Sequence, residues 1–269
     1  MAKHWDGLVL EDYKAVMPLT WNRKWGINYL YQPPFTQQLG IFSSLDIDEV
    51  LVKKFLVAIP THFRFAEIFL NYKNSFRGTD AQRINLVLAL NESFDRIKTK
   101  FRKSLLQSVE RSKRYNLQYL PSENYLEAIE YFRVLYGNKL PHLTTDDYSR
   151  FSSLCEYLKL NHQLLTREIV DPGGKLLSIT LFLKDQYRFY NIISATTEEG
   201  RKREAAHFLF YEFIKEFSGS GMTLDIEGSD IKGIYAFYKK FSPVLEPYFF
   251  VRINQLPFLL RLLKPASTI

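Results

Sequence analysis

The order of the predicted elements constrains this chain more than any other feature of its sequence. A group of short strands, then a helix, then further strands occurs over Gly7–Leu90 and again over Leu164–Ile253. The second copy has an extra short helix between its last two strands, and helices connect the copies. No residue-level repeat accompanies the duplication, so it is one of architecture. It predicts an α/β protein with mixed sheets and two similar modules, with a cleft between or beside them.

The length of the chain agrees with two modules. A chain of 269 residues can form one or two domains. We place the boundary after a basic helix, which gives an N-terminal module over residues 1–115 and a C-terminal module over residues 116–269. The first ten residues lack the apolar segment of a secretory signal, and no run of about 18 apolar residues could span a membrane. A cytoplasmic protein is therefore the expectation.

Apolar periodicity, turn residues and cap residues set the limits of the predicted elements. Asp171-Pro172-Gly173-Gly174 predicts a hairpin between strands at Leu164–Val170 and Leu176–Leu183. Met222–Ile226 follows a helix and is predicted to join its sheet by a parallel crossover. The predicted helices are Asp46–Ala58, Glu92–Tyr115, Ser122–Leu135, Thr144–Leu160, Glu198–Phe217 and Ile231–Phe241.

The net charge of +7 is concentrated in one predicted helix. Between Phe94 and Tyr115, eight basic residues accompany two acidic ones, a net charge of +6. The basic residues are Arg96, Lys98, Lys100, Arg102, Lys103, Arg111, Lys113 and Arg114. Such a patch could bind a polyanion such as RNA or a phosphorylated ligand. The alternative is the solvated face of an amphipathic helix, and no motif of the usual RNA-binding modules accompanies it.

Metal and thiol chemistry have little support in the sequence. The five histidines, His4, His62, His142, His162 and His207, show no metal-ligand spacing, so no metal is expected. The single cysteine, Cys155, excludes an intramolecular disulfide and is expected to be a small buried residue of a helix. Most aromatic residues fall at core-periodic positions, which favours a place in the core over a role in base stacking.

The segment Ser194–Arg203 joins a predicted strand to a predicted helix and is the first candidate site. The N-terminus of a helix presents unpaired backbone N–H groups and binds phosphates readily. The candidate cofactor-binding residues are Thr197, Gly200, Arg201, Lys202 and Arg203. Because Glu198 and Glu199 oppose that positive charge, a capped surface helix without a ligand is the alternative.

The C-terminal part resembles a known family. Strand–strand–strand, long helix, strand, helix, strand is similar to the order of the GNAT acyltransferase fold. Leu224–Ser229, followed by Gly233 and Phe237–Ser242, resembles the C-terminal module of the Fem family, peptidoglycan-bridge aminoacyltransferases built from two GNAT-like modules. The basic stretch Arg111–Arg114 is similar to the helix that links those modules. The resemblance implies tandem GNAT-like modules joined by helices.

The resemblance also implies a reaction and its participants. The donor would be an acyl-CoA or an aminoacyl-tRNA, and the acceptor a small-molecule or peptide amine. The helix Arg96–Arg114 would be the contact surface for tRNA. Two departures stand out. Aligning Arg201 with the acyl-CoA motif of GNAT enzymes puts Glu204 at its central glycine, and Tyr238 takes the lysine position of the Fem pattern.

Acyl transfer to an amine needs a base for the amine proton and an acid for the leaving group. Glu227 is the candidate base and Asp225 its helper, because residues two apart share one face of a regular strand. Tyr238 is the candidate acid for a leaving thiolate or alcoholate. The alternatives are turn and cap roles for the two carboxylates and simple packing for the tyrosine.

Two further pairs of residues are candidates for substrate binding. Lys239 and Lys240 could hold an acyl carboxylate or a phosphate, or form a solvated helix end. Gln37 and Gln38, in a run rich in amides and aromatic rings, could donate to an acceptor substrate or belong to a structural loop. The sequence thus favours an N-acyltransferase, and the alternative is a non-catalytic protein that binds RNA or another polyanion through the basic helix.

Overall fold

The structure is a computed structural model and describes residues 1–76 and 81–263. Two compact units make up the chain, Met1–Ile84 with Glu246–Ile269, and Asn85–Leu245. The strands are β1 His4–Leu10, β2 Ala15–Lys24, β3 Ile27–Leu30, β4 Phe42–Ser43, β5 Phe63–Phe69, β6 Ala81–Arg83, β7 Leu86–Ala89, β8 Gln118–Ser122, β9 Leu164–Val170, β10 Leu176–Lys184, β11 Arg188–Thr196, β12 Thr223–Ile226, β13 Val244–Leu245 and β14 Tyr248–Asn254.

The helices belong to both units. They are α1 Glu49–Val57, α2 Phe94–Thr99, α3 Lys103–Lys113, α4 Tyr125–Tyr136, α5 Thr145–Leu160, α6 Glu198–Lys202, α7 Ala205–Phe217, α8 Lys232–Tyr238 and α9 Phe258–Leu263, with 3₁₀ turns at Gly137–Lys139 and Lys239–Phe241. No helix of residues 1–76 or 81–263 has the length and apolarity needed to cross a membrane.

The first unit is built on a mixed sheet in the order β1-β2-β3-β5-β14-β6, with β4 beside β2. Neighbouring strands are antiparallel except β3 and β5, which run parallel. Val52 and Phe55 of α1 pack against one face of this sheet together with Met17, Leu30 and Ala66. Asp48 caps α1 by accepting a hydrogen bond from the backbone N–H of Leu51.

The second unit has a seven-stranded sheet in the order β13-β7-β12-β11-β10-β9-β8. β11 and β12 are parallel, as predicted for a crossover through the intervening helices. Helices α3 and α7 contribute Leu105, Val109, Leu209 and Phe213 to its apolar core. Helices α4 and α5 contact β9, β10 and β11. The mixed α/β class and the two similar modules are confirmed.

The grouping of the strands by sequence is wrong for one strand in each copy. β7 was expected with the first group, but Leu88 pairs with Leu224 of β12 in the second sheet. β14 was expected with the second group, but Val251 pairs with Ile68 of β5 in the first sheet. Periodicity identifies a strand but not its partner, because pairing depends on contacts far apart in sequence. The predicted boundary between an N-terminal module over residues 1–115 and a C-terminal module over residues 116–269 stays a prediction.

Two predicted long helices are each interrupted. The basic helix is split into α2 and α3 around Phe101, where Arg102 donates its N–H to the carbonyl of Lys240 at 2.9 Å and Ser242 binds the carbonyl of Lys100. The helix over Glu198–Phe217 is split into α6 and α7 at Glu204, which has a left-handed backbone with φ of 61°. Both breaks depend on contacts with distant segments, so helical periodicity could not predict them.

Other boundaries follow the sequence more closely. Thr144 and Asp147 form a reciprocal capping box at the start of α5. Asn124, not Ser122, caps α4, because Ser122 ends the unpredicted strand β8. β8 lies at the edge of its sheet and contains Pro121, a residue that edge strands tolerate but that weakens a strand pattern.

Candidate functional site

The pairing between the two parallel strands of the second sheet, β11 and β12, ends at a defined position. β11 and β12 are paired from Arg188 and Thr223 to Tyr190 and Asp225. β11 continues to Thr196, whereas β12 ends one residue after its last paired position. In open α/β sheets, the crevice outside the carboxyl ends of parallel strands is where ligands bind. The end of this pairing is therefore the candidate site, and several predicted residues surround it.

Arg188 and Asn85 hold Asp225 inside the second unit. Asp225 is 2% exposed. Its Oδ2 lies 2.9 Å from Nη1 of Arg188, and its Oδ1 accepts a hydrogen bond of 2.8 Å from Nδ2 of Asn85. A buried carboxylate with a cation and an amide donor is fully compensated. These contacts favour a positioning role for Asp225, and a direct role in a reaction stays a prediction.

Glu227 has different surroundings from Asp225. It lies just past the end of β12, so the expectation that both carboxylates share one face of a regular strand is not met. Gly228 follows with φ of 76°, and Ser229 donates to the carbonyl of Ile226 at 2.5 Å, which fixes this turn. Burial, and secondly the charge of Asp225, raises the pKa of Glu227 well above its ordinary value. A carboxyl group with a raised pKa is a stronger base once it is ionised.

Tyr238 belongs to a buried polar cluster that joins α8 to β11 and β10. Its hydroxyl accepts a hydrogen bond of 2.6 Å from Nδ2 of Asn191. Ser194 donates to Oδ1 of Asn191 at 2.8 Å, and the hydroxyls of Ser194 and Thr180 are 3.3 Å apart. Burial raises the pKa of Tyr238, although the bonds from Ser194 and Asn191 act in the opposite direction. The phenol therefore keeps its proton at neutral pH and can donate it.

Thr197 and Gly200 have structural roles at the start of α6. The hydroxyl of Thr197 accepts a hydrogen bond of 3.0 Å from the N–H of Gly200, which caps the helix. A Cβ on Gly200 would lie 2.2 Å from the carbonyl oxygen of Leu177. Glycine at this position is thus required by the close approach of α6 to β10, with or without a ligand.

The three cations of α6 contact the protein itself. Arg201 donates to the carbonyl of Thr196 at 2.7 Å, and Lys202 forms an exposed ion pair of 2.8 Å with Glu198. Arg203 binds Glu199 and lies 3.4 Å from Asp171. A phosphate at this helix start would compete with these partners. The assignment of Thr197, Gly200, Arg201, Lys202 and Arg203 to cofactor binding stays a prediction.

Lys240 is part of a charged network that the sequence did not reveal. Its Nζ is 3.1 Å from Nε2 of His207, and Nδ1 of His207 is 2.7 Å from Oε2 of Glu204. Glu204 also binds Arg111 of α3. Burial, followed by the charge of Lys240, lowers the pKa of His207. Lys239 is exposed, with Nζ 5.0 Å from the centre of the Tyr235 ring. The network fixes the turn that follows Tyr238.

Gln37 and Gln38 lie in the first unit and bind protein groups. Nε2 of Gln38 donates to Oε1 of Gln37 at 3.0 Å, and Oε1 of Gln38 accepts from the backbone N–H of Tyr72 at 2.9 Å. Both residues are partly buried. These bonds fit the structural-loop alternative, and a role in substrate binding stays a prediction.

Sequence reasoning missed the residues that support the candidate site. Arg188, Asn191 and Ser194 lie on β11, where a buried arginine and a buried asparagine accompany apolar residues such as Phe189 and Ile193. Buried polar groups on a strand are unusual without partners, so these polar residues were the available signal. The expectation for Cys155 is confirmed. It is fully buried in α5, and burial raises the pKa of its thiol to about 12, which leaves it unreactive.

The basic segment is exposed over most of its length. Lys100, Arg111 and Lys113 form ion pairs with Glu92, Glu204 and Glu110. Within the described part of the chain the other five basic residues form no ion pair: Arg96, Lys98, Arg102, Lys103 and Arg114. Five uncompensated cations make this segment a positively charged surface of the second unit.

Comparison with known proteins identifies structures with a similar fold. No family model matches the chain, and no curated protein matches it. Solved structures, in contrast, are similar to this chain. FemX has a TM-score of 0.64 at 14% identity, covering 96% of this chain and 90% of FemX. The C-terminal domain assigned to a lysylphosphatidylglycerol synthetase from Agrobacterium fabrum has a TM-score of 0.58 at 13% identity, covering 97% of this chain and 87% of that domain.

L-PGS from Bacillus licheniformis is also similar, with a TM-score of 0.52 at 9% identity over 96% of this chain and 87% of that one. Identities this low show a shared fold. The chain therefore shares its fold with FemX and with these two proteins, in agreement with the fold that the predicted resemblance implied.

Proposed function

We propose that this protein transfers an acyl or aminoacyl group from an activated donor, an acyl-CoA or an aminoacyl-tRNA, to an amine. One observation carries the proposal. Glu227, a carboxyl group of raised pKa, follows β12 just beyond the point where β11 and β12 stop pairing. Tyr238, whose hydroxyl is buried, lies on the next helix, α8. The fold shared with FemX supports the same class of reaction.

Glu227 is the proposed base. When the amine nitrogen attacks the donor carbonyl, a C–N bond forms and the nitrogen must lose a proton. The carboxylate of Glu227 accepts it. Within the residues that the structure describes, no hydrogen bond ties up this carboxyl group, so it is available to a substrate. Its raised pKa makes it a stronger base than an ordinary glutamate.

Tyr238 is the proposed acid. As the tetrahedral intermediate collapses, the C–S bond of a thioester or the C–O bond of an aminoacyl ester breaks, and the leaving atom takes a proton. Asn191 donates to the oxygen of Tyr238 at 2.6 Å, so the phenolic proton is directed elsewhere. A hydrogen bond to the phenol oxygen also stabilises the phenolate that remains after transfer.

The two classes of donor would bind to different surfaces of the protein. For an acyl-CoA, the phosphates would lie at Thr197–Arg203 and Lys202 would exchange its exposed partner for them. For an aminoacyl-tRNA, the uncompensated cations of α2 and α3 would contact the RNA backbone. Lys239, Lys240, Gln37 and Gln38 are the proposed groups that hold the acyl group or the acceptor.

The experiment separates the donors directly. The protein is incubated with amines and either a panel of acyl-CoA thioesters or charged tRNA, and release of free thiol or loss of the aminoacyl ester is followed. Wild type is compared with Tyr238→Phe and with Tyr157→Phe, a change at an exposed tyrosine of α5. Turnover that Tyr238→Phe lowers and Tyr157→Phe does not supports the proposal. No turnover and no binding of any donor would refute it.

A second candidate function rests on the charged surface alone. The five cations without ion pairs, Arg96, Lys98, Arg102, Lys103 and Arg114, could bind RNA in a protein that catalyses nothing. Replacing Arg96, Lys103 and Arg114 by Glu should abolish RNA binding, whereas the same change at Lys3, Lys54 and Lys73 should not. Binding through phosphates also weakens steeply with salt. Salt-insensitive binding, or none, would remove this candidate.

A further inference from the structure

Trp25 occupies an unusual position in the first unit. It forms the tip of the β2–β3 hairpin with Gly26, and their φ values of 51° and 77° place both in the left-handed region. Two-residue hairpin turns of this type usually carry asparagine and glycine, and a side chain there costs roughly 1–2 kcal/mol. Trp25 is also 75% exposed. A strained and exposed tryptophan suggests a functional position.

An apolar cavity lies on one side of Trp25. Its volume is about 310 Å³, and its walls include Tyr29, Tyr31, Phe65 and Leu256. Tyr29 and Phe65 stand at paired positions of β3 and β5, so their side chains share one face of the sheet. Burial raises the pKa of the Tyr29 hydroxyl, in keeping with apolar surroundings. The cavity has room for about ten methylene-sized groups.

The charges around this cavity have a definite arrangement. The carboxylate inside it, Glu67, is neutralised by Arg252 at 2.5 Å. At its edge, Nζ of Lys24 lies 5.0 Å from the centre of the Trp25 ring. Lys24 forms no ion pair with any residue of the described segments. The cavity is therefore neutral inside and cationic at its edge.

A polar cavity of about 500 Å³ also has Trp25 in its wall. It is lined by Asn28, His62 and Arg64, and it shares Trp25 and Ile27 with the apolar cavity. An apolar cavity and a polar, cationic one thus meet at one exposed indole ring. A ligand spanning both would bury its apolar body in the first and place an anionic end in the second.

We infer that these two cavities form one binding site for an amphipathic anion, an apolar body of about ten carbon atoms that carries a carboxylate. The carboxylate pairs with Arg64 in the polar cavity, Lys24 adds a positive charge at the edge of the apolar cavity, and the apolar body packs against Phe65, Tyr31 and the Trp25 ring. Every residue of this site belongs to the first unit. The site goes beyond the proposed acyl transfer and uses none of the residues assigned to that reaction.

The test is a titration of the full chain with decanoate by isothermal calorimetry. We expect saturable binding of one decanoate per chain with Kd below about 1 mM, the affinity that a small, partly open pocket supports. Decylamine keeps the apolar chain and lacks the carboxylate, whereas butyrate keeps the carboxylate and lacks most of the apolar chain. Both should bind at least ten times more weakly than decanoate. Absence of saturable decanoate binding, or equal binding of decylamine, would overturn the inference.

Variants test the two halves of the site separately. Trp25→Ala changes an exposed side chain and should weaken decanoate at least fivefold without unfolding the protein. Lys24→Glu combined with Arg64→Glu should remove the preference of decanoate over decylamine. Lys54→Glu, an exposed change on α1 away from both cavities, is the control and should bind as wild type does. Unchanged binding by the first two variants would contradict the site.

Discussion

Arg188 and Asp225 form a buried ion pair between the first paired residue of β11 and the last paired residue of β12. Nη1 of Arg188 lies 2.9 Å from Oδ2 of Asp225, and the two residues are 7% and 2% exposed. Asn85, which precedes β7, supplies a second donor to the same carboxylate. The pair therefore connects three neighbouring strands just before the sheet opens, and it places a negative charge beside Glu227.

Asp225→Asn should destabilise the protein by about 3 kcal/mol, because it removes the negative charge that Asp225 presents to the buried guanidinium of Arg188. For a protein of this size that loss lowers Tm by roughly 5–10 °C. Urea unfolding and thermal melts measure it. Asp12→Asn, an exposed change in the first unit, should alter stability by less than about 0.5 kcal/mol. Equal effects of the two variants would show that the ion pair contributes nothing.

Glu227→Gln should stabilise the fold at pH 8. A carboxyl group whose pKa is raised on folding stabilises the native state fully at low pH and loses that contribution as pH rises through the folded-state pKa. The amide removes the cost of a buried charge. We therefore expect a higher Tm for the variant at pH 8 and a difference that shrinks towards pH 4.

Glu198→Gln is the matched control for stability. Its hydrogen bond and charge interaction with Lys202 lower the pKa of Glu198, so its contribution has the opposite sign. The ion pair between Glu198 and Lys202 is exposed, and its loss should have little effect on Tm. A Tm difference for Glu227→Gln that does not depend on pH would contradict a raised pKa.

Much of the fold could be predicted from the local sequence. The long-range contacts that hold the candidate site in place could not. The capping box of Thr144 and Asp147 and the burial of Cys155 depend on neighbours within one helix. The break at Glu204 depends on Arg111, which lies 93 positions earlier. The pairing of Asp225 with Arg188 likewise depends on which strands become neighbours. Periodicity contains no information on such partners.

The proposed base also predicts a pH dependence of activity. Acyl transfer should increase with pH through the raised pKa of Glu227, because only the carboxylate accepts a proton. Glu227→Gln should lower the rate by about 10²- to 10⁴-fold and abolish this increase. Initial rates between pH 5 and pH 9 measure both effects. A pH profile that the variant leaves unchanged would assign the base to another group.

Tyr238→Phe should lower the rate by about 10²-fold with thioester donors of alkyl thiols. The leaving thiolate then departs without a proton. A donor with an aryl thiol needs no protonation to leave, so the variant should lose much less activity with it. Asn191→Ala should show the same dependence on the donor, more weakly, because Asn191 orients Tyr238. Equal losses with both donors would indicate a packing role.

Gly200 provides a test that separates packing from ligand binding. Gly200→Ala puts a Cβ 2.2 Å from the carbonyl oxygen of Leu177 and should destabilise the protein by about 1–3 kcal/mol without any donor present. Gly233→Ala in α8 meets no atom within 4 Å and should stabilise its helix by up to about 1 kcal/mol. If Gly200→Ala instead kept full stability and lost donor binding, its glycine would be needed for the ligand and not for the contact of α6 with β10.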